Sequence, residues 1–94
     1  MTPSVTMKTV LAELRARHHE ITERSIRRWL KKWRAQSREP NPPRGTIPVW
    51  HLAEMAMWLN TGQSYEKRLA QPLIEIATAK SNGQLSDKFN LSGH

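Results

Sequence analysis

The sequence predicts a mainly α-helical domain, on three observations. Apolar residues recur at i, i+3, i+4 and i+7 in two successive stretches, as they do along amphipathic helices. Two further apolar stretches follow, set apart by a segment too rich in proline to be helical. Finally, nine Lys or Arg against two Glu fall between Arg15 and Arg38, so one 24-residue stretch carries the whole formal net charge of +7 of this 94-residue chain.

The first helix is marked by Met7, Val10, Leu11 and Leu14, with Thr6 as its N-cap. Glu13 and Arg17, four residues apart, can pair on its outer face. The pattern breaks at His18-His19-Glu20, Ile21 is a lone apolar residue, and Thr22 can cap a new helix. In that second helix Ile26, Trp29, Leu30 and Trp33 form one stripe. Helical rotation places Arg24, Arg28 and Lys31 opposite the stripe and Arg27, Lys32 and Arg34 on its flanks. Residues 36–48 hold four prolines and a glycine and are expected to be an extended loop, long enough in so small a domain to be either functional or disordered. A third helix is expected from near Pro48 to Asn60-Thr61-Gly62, with Leu52, Met55, Ala56 and Leu59 as its core stripe. Trp50, Met57 and Trp58 make it apolar on more than one side, which implies full burial or a partner surface. A fourth helix, about Ser64 to Lys80, carries Leu69, Leu73, Ile76 and Ala77, and Pro72 inside it should kink or divide it. The tail from Ser81 is polar and expected to be mobile.

Two short helices joined by a turn of about four residues, the second cationic, make a helix-turn-helix arrangement. With the aromatic stripe buried, the opposite face is held rigidly outward, and a helix fits the major groove of DNA. In such a motif the N-terminal residues of the second helix meet base edges and later ones meet phosphates. That assigns Arg24, Arg27 and Arg28 to base edges, where the planar guanidinium fork can pair with guanine, and Lys31, Lys32 and Arg34 to phosphates.

The run Thr22-Glu23-Arg24-Ser25-Ile26-Arg27-Arg28-Trp29-Leu30 resembles the recognition helix of excisionase-like and MerR-like winged helix-turn-helix proteins. The Pro/Gly loop with Arg44-Gly45, the segment Ile47-Pro48-Val49 and the helix opening His51-Leu52-Ala53 also look like that family. The loop is longer and richer in proline than the family's wing, and Ala35-Gln36 stand where the family has Gly. The resemblance, over about residues 9–59, implies a small winged helix-turn-helix domain with an extra C-terminal helix. The winged domain would be residues 1–62, with the wing-like loop over 36–48, then the C-terminal helix over 63–80 and the tail over 81–94. It implies that Arg38 and Arg44 in the wing touch the DNA backbone or minor groove. It also implies a role in prophage excision, phage or plasmid transcription control, or DNA packaging.

Other chemistries find less support. There is no Cys, which removes disulfides, thiolate metal sites and Cys nucleophiles. His18 and His19 are adjacent and so turned about 100° apart in a helix, poor joint metal ligands. His51 reads as a helix-start surface residue, Ser25 and Ser64 have no triad around them, and the eight carboxylates form no obvious pair. No enzyme activity, cofactor or metal is expected. No apolar run nears the roughly 20 residues of a membrane span, and the N-terminus lacks a signal peptide's apolar segment, so a cytoplasmic, nucleoid-associated protein is expected. Trp29 and Trp33 could stack on bases, but their spacing with Ile26 and Leu30 marks them as core. Taken alone, the segment from Arg24 to Arg34 also fits an anionic bilayer or a peptide-binding groove, and its charge does not separate DNA from RNA. The alternative function is a small phage-encoded inhibitor or adaptor that binds protein on the same scaffold. A homo-oligomer or a protein partner would use Trp50, Trp58 and the C-terminal helix.

Overall fold

The computed structural model describes residues 3–62 and 65–81. The elements run β1 (Ser4–Val5), α1 (Met7–Ala16), α2 (Glu23–Ser37), β2 (Ile47–Pro48), α3 (Val49–Asn60), a 3-10 helix (Tyr65–Leu69) and α4 (Ala70–Lys80). The protein is mainly helical, with one two-stranded antiparallel sheet. Both expected caps form. The Thr6 hydroxyl accepts from the Thr9 amide and the Thr22 hydroxyl from the Ser25 amide, each at 3.2 Å, satisfying donors that a helix leaves unpaired at its start. His18 ends α1 in the left-handed conformation, φ 66°, and the amides of His18 and His19 close on the carbonyls of Arg15 and Leu14. Residues 17–22 thus turn the chain between α1 and α2, a longer turn than the sequence suggested.

The Pro/Gly segment differs from the expected wing. α2 continues to Ser37, and β2 pairs with β1 near the N-terminus, Ser4 opposite Pro48 and Val5 opposite Ile47, instead of with a second strand from the loop. The reason is burial and hydrogen bonding. Val5 and Ile47 both enter the core, and the prolines at 40, 42, 43 and 48 have no amide to give a hairpin ladder. The loop closes through a turn in which the Thr46 amide and hydroxyl both bond the Pro43 carbonyl. Gly45 sits at its third position with φ 85°, a conformation that disfavours any side chain.

The stretch expected as a fourth helix is divided, and α4 is shorter than expected. The segment before it forms the separate 3-10 helix, and Pro72 falls in the first turn of α4, where the missing amide costs no helical bond. Leu69, Leu73, Ile74, Ile76 and Ala77 are buried in the same core as Val10, Leu14, Ile26, Trp29 and Leu52. α3 packs along α4, which buries its core stripe. Trp50 and Trp58 are partly buried against the core, and Tyr65 is the exposed large hydrophobic residue among those described. The expected mobile tail lies, from residue 82 on, outside the described residues. No described helix is long and apolar enough to cross a membrane.

Candidate nucleic-acid interface

The stripe of α2 is buried as its spacing required: Ile26, Trp29, Leu30 and Trp33 all face the core. Trp33 meets α3 edge-on, its ring 6.1 Å from Trp50 and 5.0 Å from His51. This fixes the roll of α2 about its axis, so Arg24, Arg27, Arg28, Lys31 and Lys32 are all exposed on the outer side. Arg38, left-handed with φ 58° at the C-cap of α2, and Arg44, at the apex of the loop turn, are also exposed.

Local partners divide these cations. Arg27 forms an ion pair with Glu23 one turn earlier. Arg28 donates through Nη2 to Glu66 Oε1 of the 3-10 helix at 3.0 Å. Arg17, also within the cationic run, turns away to α4. It pairs with Glu13 at 2.7 Å and Glu75 at 3.5 Å, while Lys80 reaches Glu13 at 3.5 Å. The hydrogen bond from Arg17, with Lys80 second, holds the Glu13 carboxyl below its ordinary range. The expected Glu13–Arg17 pair therefore forms, but it clamps α1 to α4 as well as lying along α1.

Arg34 departs most from expectation. It is half-buried, its Nε donates to His51 Nδ1 at 3.2 Å, and its Nη2 is buried with no hydrogen-bond partner among the described residues. Burial holds its guanidinium below the ordinary arginine value. It is thus no freely extended phosphate contact. His51, expected on the surface, is 4% exposed, between Trp33, Trp50 and Arg34. Burial first and the Arg34 charge second lower its pKa to about 4, so the ring is neutral at pH 7 and its Nδ1 can accept. The cause of both departures is that α2 and α3 cross at this point, and neither helix's own pattern records which flank the other covers.

The 3-10 helix adds a group that the sequence analysis passed over. Arg68 lies over the Tyr65 ring, 4.2 Å from its centroid, and its Nη1 is 3.3 Å from His19 Nδ1 in the α1–α2 turn. With Glu66 on Arg28, this puts Tyr65, Glu66 and Arg68 beside the N-terminal half of α2. The run Tyr65-Glu66-Lys67-Arg68 was the available sign, but nothing in the sequence placed it at that end of the molecule. Among the described residues no group of three or more His, Asp or Glu is placed to hold a metal ion. Compared with known proteins, the chain matches no family model, no curated protein and no solved structure.

Proposed function

We propose that the protein is a sequence-specific double-stranded DNA-binding protein of helix-turn-helix type, acting as an excisionase-like architectural factor or a small phage or plasmid regulator. One observation carries the reading: five cations of a single helix are exposed on one face, while the opposite face is fixed by buried Trp29 and Trp33. Such a helix presents a row of donors on a backbone that is already ordered and fits the major groove. Arg24 and Arg28 lie at the N-terminal, base-reading end, with Arg27 beside them; Lys31 and Lys32 follow towards the phosphates. Arg38 and Arg44 flank the helix from the loop, a place comparable to a wing although no hairpin forms there. Arg68 joins this face from the other side.

The protein-binding alternative would use Trp50, Met57 and Trp58 of α3, which are only partly buried. The deciding experiment is binding to a random duplex pool and to single-stranded RNA of equal length, from about 50 to about 300 mM salt. A specific DNA reader enriches one motif in the duplex, and its log K falls by roughly four to seven per tenfold rise in salt for about five to eight phosphate contacts. Weak binding without preference, or stronger binding to the RNA, refutes it.

A further inference from the structure

A cleft of about 350 Å³ lies between α2 and the 38–46 loop. Arg27, Lys31 and Arg34, at i, i+4 and i+7 of α2, line it together with the apolar Met7, Leu30 and Ile47. Gly45 stands on the loop side, and a Cβ built there would meet nothing within 4 Å, so the loop leaves room. Among the described residues the three cations have one carboxylate, the Glu23 paired with Arg27. Arg34 has a neutral imidazole on Nε and a buried, unpartnered Nη2, and among the described residues no carboxylate pairs with it. A half-buried cation without a counter-ion is costly, and a ligand anion removes that cost. The planar guanidinium fork suits a phosphate, whose oxygens can accept from several donors at once. The apolar lining favours a phosphate that carries carbon over a bare ion.

We propose that this cleft seats one phosphate ester, its oxygens held by Arg34, Lys31 and Arg27 and its carbon body against Met7, Leu30 and Ile47. His51 is a positioning residue that holds Arg34 by Nε, and the ligand meets the part of Arg34 that lines the cleft, since the buried Nη2 is out of its reach. The ester can be a backbone unit of DNA or a free phosphate monoester. The assignment rests on the DNA-binding reading only for the choice between these sources.

The test uses the full chain in solution, with the Met7 methyl, Arg34 Nε–H and Trp33 indole resonances as readouts. The probes are phenyl phosphate, phenol and a short duplex. Phenyl phosphate is expected to shift these resonances and phenol to leave them unmoved. Arg34→Met should weaken phenyl phosphate binding roughly ten- to a hundredfold. Lys31→Met, at an exposed position that cannot unfold the protein, should weaken it roughly threefold, and Lys32→Met on the other flank should leave it unchanged. A duplex that displaces phenyl phosphate places a DNA phosphate in the cleft, and a duplex that binds without displacing it assigns the cleft to a free ester. Phenyl phosphate seated here with no duplex binding anywhere leaves the seat standing and removes the DNA reading. The proposal is overturned if phenyl phosphate and duplex both leave the resonances unmoved, if phenol shifts them equally, or if both cleft variants bind as the unmodified chain does.

Discussion

His51 and Arg34 form a contact that exists only while the imidazole is neutral, since Nδ1 must accept from a cation. The folded-state pKa of His51 is about 4, below the ordinary histidine value near 6.5. An unfolded chain therefore takes up a proton at His51 before the folded one does. Stability is fully present above about pH 6.5 and declines as pH falls towards 4, below which this contribution levels off. Urea midpoints measured across this range should show the decline, and His51→Phe should flatten it; an unchanged slope in that variant would locate the effect elsewhere. Trp29 offers a second check. It is buried, yet among the described residues its indole Nε1 has no hydrogen-bond partner. Trp29→Ala is expected to cost on the order of 3–5 kcal/mol of unfolding free energy, whereas Trp29→Phe should cost much less, because no hydrogen bond is lost with the indole N–H.

Between elements, the 3-10 helix would compete with the proposed DNA for an arginine of α2. Arg28 stands at the end of α2 proposed to read bases and is held by Glu66. If Arg28 reads a base, it must leave that carboxylate, so Glu66→Gln is expected to tighten duplex binding by up to roughly fivefold, the scale of an exposed ion pair. Arg28→Ala should relax base preference at one position at a cost of about 1–3 kcal/mol, while Lys32→Ala weakens all sequences evenly and flattens the salt slope by about one. Both are read from duplex titrations at several salt concentrations; equal effects from the two variants would break the division into base-reading and phosphate-binding residues. The loop turn is held by its own geometry. Gly45→Ala meets no atom but must adopt φ 85°, which costs on the order of 1 kcal/mol, visible as a small fall in melting temperature.

For the molecule as a whole, the core admits no boundary at residue 62. α4 buries Leu73, Ile74, Ile76 and Ala77 against α3 and α1, and the Arg17–Glu13–Lys80 and Arg17–Glu75 pairs tie its outer side to α1. A fragment of residues 1–62 keeps every cation of α2 but exposes the α3 surface that α4 covers, which a domain this small cannot sustain. It is expected to show no cooperative thermal unfolding by circular dichroism. A sharp transition in that fragment would restore the two-part organisation.

Helix periodicity and capping are local, and these parts of the protein were legible from residue order. Thr6 and Thr22 start α1 and α2, the stripe Ile26, Trp29, Leu30 and Trp33 defines the inner face of α2, and the cations between them define its outer face. What residue order leaves open is which neighbour covers each flank, because that depends on contacts between segments far apart in the chain. The crossing of α2 on α3 drew Arg34 inward to His51, and β1 rather than the loop supplied the strand beside Ile47. The 3-10 helix arrived at the α1–α2 turn to hold Arg28 and His19, and α4 joined the core as a full member. A flanking side chain is turned out or in by whichever distant surface shields it from water, and a single helix's pattern contains no term for that surface.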